Sequence, residues 1–453
     1  MNSKKRGANF SIRRAALELL RLFMLFIPIC AGPLLAQTEV RLRAETRSFV
    51  RLQLQLRPCQ LKDQATKELG RRVLDILDND LWMSSMIAAF QTEEGLSNHD
   101  TPRPEAALLR PTSPLRLAVQ TSLSVQQKKV SLEAELIDSA SRKTLERKSY
   151  RGCLDNLRLL VHTMSDDLVR HLTGEKGIAK SRIAFTAQSA GSKEIYIMDY
   201  DGANQDPLTN LRTLNLTPAW SAEGRELVFT SYLRSNPDLY ILDLMSRKLE
   251  PIIRGNSLNS APAYSPDGKR IAFVSTKDGN AEIYMMDRSG KNIRRLTQHP
   301  AIDSSPSWSP NGQELIFTSD RLGNPQVFIM DVEGSNVRRL PIEGDYHDSP
   351  AWSPRGDKIA FVSRLDRGFD IFTFDITTET TTRLTADAGS NEDPCWSPDG
   401  YRLVFSSTRD GRRDIYIMMW DGTEVRRLTF KGTCTSPSWS LNVRPQEEIE
   451  CKQ

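Results

Sequence analysis

Phenylalanine returns along this chain at a fixed interval: Phe185, Phe229, Phe273, Phe317, Phe361 and Phe405 stand 44 residues apart. A second register, Tyr196, Tyr240, Tyr284, Phe328, Phe372 and Tyr416, keeps the same period. A third is an aromatic-Ser-x-x-Gly motif opening at Trp220, Tyr264, Trp308, Trp352 and Trp396. Three registers at one period imply tandem structural units, and that period constrains the fold more than any other feature.

One unit, residues 261–297, reads as four short strands. Ala263-Tyr264-Ser265 starts the unit, and Ser265-Pro266-Asp267-Gly268 is a tight turn, proline presetting φ at its second position. Arg270 to Ser275 is apolar on both faces, Lys277 to Asn280 turns, and Glu282 to Asp287 is a third strand. Ile293 to Thr297 is an outer, more polar strand. Middle strands apolar on both faces must be sandwiched between neighbouring sheets, which predicts a β-propeller of WD40-like blades. The phenylalanine register counts six blades. The aromatic-Ser register is missing at Lys176 and has an extra member at Trp439-Ser440. The first blade therefore lacks its inner strand, and Thr435 to Ser440 is expected to supply it and close the ring.

Residues 37–175 lack the repeat and read as a small α/β domain. Val50 to Leu56 alternates as a strand, Ala65 to Leu77 has helical spacing, and 99–114 reads as a loop. Arg116 to Val125 and Val130 to Ile137 are strands, and Leu154 to Leu172 is a helix stopped at Gly174. The expected fold class is thus two-domain: a small N-terminal α/β domain (37–175), then an all-β six-bladed β-propeller (176–441) closed by a C-terminal strand, with a tail at 442–453.

Residues 1–36 have the order of a secretory signal: a basic start, the apolar run Leu22 to Ala31, then small residues ending at Ala36, the expected cleavage point. They hold six basic groups and one acid, so the rest of the chain carries 55 basic against 56 acidic residues. A body of net charge −1 gives no electrostatic reason to bind nucleic acid. Export implies an oxidising compartment. Five cysteines follow the signal, and Cys59–Cys153 is the expected bridge because both precede the repeats. No Gly-x-Ser-x-Gly, phosphate loop or His-Glu-x-x-His is present, and only His299 and His347 fall in the propeller. The expectation is a protein without catalytic residues, cofactor or metal; the alternative is an exported propeller lyase, or a peptidase-associated propeller using its channel as a substrate site.

With these residues in hand, the chain resembles the TolB family of the Tol–Pal system. The resemblance rests on the exported start, the domain order and the six Trp-Ser-Pro-Asp-Gly-type blades. It also rests on the junction His162-Thr163-Met164-Ser165-Asp166-Asp167 through Leu172-Thr173-Gly174-Glu175-Lys176-Gly177, and on Phe317 to Gln326. It covers roughly residues 40–440 and implies a periplasmic scaffold that binds the peptidoglycan-associated lipoprotein Pal through the propeller. It further implies that the mature N-terminus, Gln37, Thr38, Glu39, Val40 and Arg41 onward, binds TolA, and that the system maintains outer-membrane integrity and aids constriction at division. It implies other outer-membrane proteins as further partners.

Five positions before each blade's aromatic lie Asn215, Asn259, Asp303, His347, Asn391 and Cys434, followed by Ser260, Ser304, Asp348 and Glu392 among others. Read as loops entering the inner strands, these form a polar ring at the channel mouth, the candidate Pal surface. The neighbouring loops carry Arg234, Lys277, Arg321, Arg364, Arg367, Arg409, Arg412 and Arg413, a basic rim suited to steering a partner. The tryptophans are expected to pack between blades.

Overall fold

A computed structural model describes residues 52–57, 59–61, 67–91, 116–365 and 368–440. The expected signal, the segment Gln37 to Arg41, the loop 99–114, Arg367 and the tail 442–453 lie outside the described residues.

The N-terminal sheet contains β1 (Leu52–Leu56), β2 (Gln60–Leu61), β3 (Ile87–Gln91), β4 (Leu117–Gln126), β5 (Lys129–Asp138) and β6 (Thr144–Cys153). Its order is β3-β1-β4-β5-β6, with β2 also on β4. β1 runs parallel to β3 and β4, while β4, β5 and β6 form an antiparallel meander. Helices α1 (Lys67–Met83) and α2 (Leu157–Thr173) pack on each other, burying Val73, Leu77 and Leu81 of the first and Leu160, Val161 and Met164 of the second. α2 ends at Gly174, whose φ of 78° is the left-handed conformation that glycine adopts without penalty.

The expected Cys59–Cys153 bridge is not formed, and Cys59 carries a thiol whose pKa burial raises. Sheet order gives the reason. Cys59 adjoins β2, which pairs with β4, and Cys153 ends β6, so three strand spacings separate them. That is ~14 Å at the usual interstrand distance, twice the reach of a disulfide.

Six four-stranded sheets follow. Blades 2 to 6 are each a meander of consecutive strands, with inner strands Asn215–Trp220, Asn259–Tyr264, Asp303–Trp308, His347–Trp352 and Asn391–Trp396. Blade 1 consists of Arg182–Ser189, Ser192–Asp199 and Asp206–Pro207, and its inner strand is Thr435–Trp439 from the far end of the chain. Each inner strand touches the next, and Thr435–Trp439 touches those of blades 2 and 6, so the ring is continuous.

The registers fill the sheets as their spacing demands. Each phenylalanine is 0% exposed and faces its cross-strand Tyr or Phe partner at ring-centroid distances of 5.7 to 6.4 Å. Apolar clusters lie between blades, not within them: Ala272, Val274 and Ile283 of blade 3 pack on Trp308, Leu315 and Phe317 of blade 4. The indoles also stitch neighbours. Trp220 Nε1 donates to the Ser438 carbonyl, Trp308 to Ala263 and Trp396 to Ala351, each at 3.0 Å, and Trp439 to Ser181 Oγ at 2.8 Å. Trp352 Nε1 is buried without such a partner. Trp308→Phe should therefore cost about 1 kcal/mol more stability than Trp352→Phe, the worth of one hydrogen bond. Equal losses in urea melts would remove the stitch from the account.

Every inner strand carries a bulge. Thr217, Ala261, Ser305, Ser349, Asp393 and Ser436, each just before a proline, take φ between 47° and 55°. The register with the second strand breaks there in each blade. A non-glycine residue in this region costs about 1 kcal/mol or more, and sixfold repetition marks the bulge as a working part of the blade.

The α/β module sits on blades 1 and 6, at the strand ends opposite the inner-strand starts. Asp80 of α1 is its hub. Asp80 Oδ1 accepts from the Tyr200 hydroxyl (2.6 Å), and Oδ2 accepts from Ser165 Oγ (2.7 Å) and lies 2.8 Å from His162 Nδ1. α1 has no basic residue in its last turn, and the propeller supplies one. Arg402, 0% exposed, donates from Nε to Met83 O (2.9 Å) and from Nη2 to Trp82 O (3.2 Å) and Glu424 (2.9 Å). Asp166 on α2 takes the Ala179 amide at 2.8 Å, and burial pushes its carboxyl up to about 7, against the pull of Lys180 and that amide.

Candidate functional site

Inner strands begin four residues before the alanine at 263 and its equivalents, and this decides what the mouth presents. Positions read from sequence as loop lie in strands, where successive side chains face opposite ways. Asn259, Asp303, His347 and Asn391 are 0 to 2% exposed. Asn259 Oδ1 accepts from Ser275 Oγ (2.8 Å) and Asn391 Oδ1 from Ser407 Oγ (2.7 Å). Asp303 receives two bonds from Arg321 Nη2, at 3.0 and 2.9 Å. These four side chains work inside the wall and offer no surface.

The next residues do. Ser260, Ser304, Asp348 and Glu392 are half-buried on the opposite side of their strands, where the six inner strands converge. Asp348 accepts from Thr318 Oγ1 at 2.8 Å, and Glu392 pairs with Arg413 at 2.6 Å. The rim arginines are held by aromatic faces. Arg364 is exposed and lies 4.6 Å from the Tyr346 ring centre; Arg409 lies 4.8 Å from that of Tyr416 and bonds Asn391 Oδ1 at 3.1 Å. Leu233 and Leu365, at strand ends, and Ile302 and Leu322, in loops of the same face, are 39 to 63% exposed. The mouth thus offers two carboxylates, hydroxyls, anchored guanidiniums and apolar tips, a mixture suited to a folded protein surface. Among the described residues no group of three or more His, Cys, Asp and Glu side chains is arranged to hold a metal ion.

A second set of residues shares the period of the blades. Glu194, Asp238, Glu282, Gln326, Asp370 and Asp414 are 44 apart, at or near the start of each third strand, and at most 5% exposed. Asp370 shows the pattern: it accepts from Thr385 Oγ1 (2.7 Å), Arg383 Nε (3.0 Å) and Asn391 Nδ2 of the next blade (3.0 Å). Thr209, Thr297 and Thr429 serve Glu194, Glu282 and Asp414 in the same way. These four clasps fix the connection from their outer strands to the next inner strands and so position the mouth. Their spacing was visible in the sequence.

The chain matches the family model described as TolB beta propeller domain over residues 169–371 and 348–445. It is 45% identical over 111 residues to the Tol-Pal system protein TolB of Geobacter sulfurreducens, covering 24% of this chain and 26% of that protein. It is 36% identical over 214 residues to the protein of the same name from Syntrophotalea carbinolica, covering 45% and 48%. The matched stretches thus span between a quarter and a half of these relatives. The crystal structure of TolB from Acinetobacter baumannii aligns over 86% of this chain and 97% of that one, with a TM-score of 0.70 and 25% identity. On this match, which takes in all six blades, the chain belongs to the TolB beta propeller domain family.

Proposed function

We propose that the protein is a periplasmic scaffold of a Tol–Pal system, not a catalyst, whose propeller mouth binds the peptidoglycan-associated lipoprotein Pal. Its N-terminal segment from Gln37 to Arg41 binds TolA, and the assembly maintains outer-membrane integrity and aids constriction at division. The observation that carries this reading is the mouth itself. Ser260, Ser304, Asp348 and Glu392 converge on the propeller face that the α/β module leaves uncovered, ringed by Arg364, Arg409 and exposed leucines. Asn259, Asp303, His347 and Asn391 act from inside the wall, as supports. Names of relatives found in Tol–Pal systems support the choice of partner.

The test is affinity for a purified soluble Pal domain. Asp348→Lys with Glu392→Lys should weaken binding at least ten-fold, because reversing charges at an interface turns attraction into repulsion. The melting temperature should stay within about 2 °C, as expected for half-exposed sites. Absence of binding by the unaltered protein would sink the assignment; unchanged affinity in the double variant would move the site off the mouth.

A further inference from the structure

Four of the six seams share one plan; that between blades 2 and 3 has Ile253 and Tyr264 for the threonine and tryptophan but keeps Asp238 and Asn259, and that between blades 4 and 5 departs furthest. Between blades 4 and 5 the third-strand carboxylate is replaced by Gln326, and the clasp threonine by Pro341. The inner strand then opens with His347 where the other seams have Asn, Asp or Cys. His347 is 1% exposed and neither ring nitrogen has a hydrogen-bond partner. The ring stands edge-on to Phe361 at 5.3 Å. On the same strand Trp352 makes no indole hydrogen bond, whereas Trp220, Trp308, Trp396 and Trp439 all do. This seam therefore lacks both polar fastenings its neighbours use, and puts a titratable base in their place.

The surroundings set the sign. Burial disfavours a charged imidazole most, and Arg339, from the outer strand of blade 4, adds to it. Asp345 on the connecting loop and the nearby carbonyls of Glu343 and Gly344 oppose them, and the balance lies below the ordinary histidine value. Gln326, facing the same loop through the Gly344 carbonyl, brings no charge, and Asp348 follows on the strand itself. An opened segment takes up a proton near pH 6.5, whereas the closed seam does so only at lower pH. Closure is thus fully favoured above about pH 6.5 and is lost as pH falls through the lower value.

We propose that the blade 4–5 seam is an acid-responsive gate of the mouth: protonation of His347 expels its ring from the wall and loosens residues 341–352, carrying Asp348 out of place. The effect on partner capture rests on the mouth reading above; the opening of the seam does not.

Hydrogen exchange on the full mature chain, corrected for the intrinsic effect of pH, tests it. Between pH 7.5 and 5.0, exchange across 341–352 should accelerate at least ten-fold relative to 385–396, the same stretch one blade on. His347→Asn should abolish that difference; should this variant not fold, the wild-type comparison of the two segments decides alone. Equal acceleration of both segments, or an undiminished difference in His347→Asn, would overturn the gate. Affinity for the soluble Pal domain should fall at least three-fold over the same range in the wild type only. An exchange difference without an affinity change would keep the gate and overturn its coupling to the mouth.

Discussion

A chain ending at Cys434 is expected to lose cooperative unfolding altogether. It would lack Thr435–Trp439, the inner strand of blade 1, and with it the pairing to Ile183, Ala184 and Thr186. Trp439 is 3% exposed, in the cluster that joins Ile183, Phe185 and Tyr196 of blade 1 to Val404, Ile415 and Ile417 of blade 6. Deleting such a side chain alone costs about 3–5 kcal/mol. The deletion also removes the acceptor for the Trp220 indole and exposes the edge of a buried strand. Whole domains are stable by only about 5–15 kcal/mol, so the sum exceeds what the fold can lose. Trp439→Ala should leave a weakened but cooperative transition. A sharp melt in the truncated chain would show that the ring does not depend on its last strand.

The second large effect is expected at Arg402. Arg402→Met keeps the apolar stem but leaves Glu424, nearly buried, without its cation, and frees the carbonyls of Trp82 and Met83 at the end of α1. Breaking a buried pair from one side costs about 3–5 kcal/mol, a drop in melting temperature on the order of 10 °C. The double variant Arg402→Met, Glu424→Gln should recover part of that loss, since the stranded carboxylate is gone. If the double variant is no more stable than the single one, helix capping and not the ion pair carries the energy.

How much could be read without coordinates follows from where periodicity is physically enforced. Buried middle strands impose one aromatic per blade, so Phe273 and Tyr284 announce themselves, and Trp439 shows how the count is completed. β4 and β5 alternate because one face of each is buried. β6 was missed: Thr144 to Ser149 lie mostly exposed at a sheet edge, and their polar run carries no alternation. α1 runs on to Met83, beyond the expected end at Leu77, because its last turn docks on Arg402, a contact with no local signature. The mouth differs from the sequence expectation by one side-chain direction. The bulge at Ala261-Pro262 breaks the alternation between Asn259 and Tyr264, so Asn259 looked like a loop residue when it lies in the wall. The clasp acids, such as Glu282, recur at the period of the blades, but nothing local in the sequence shows that Thr297 and Arg295 meet them.

Eight residues between α2 and the first blade carry a mechanical consequence. Asp166 grips the amide of Ala179, and Ser181, two residues later, receives the Trp439 indole. No slack joins the two halves. Tension applied at the amino-terminal module is delivered straight to the joint where beginning and end of the wheel meet, so a tug from one tethered neighbour loads the very weld that keeps the rest in shape.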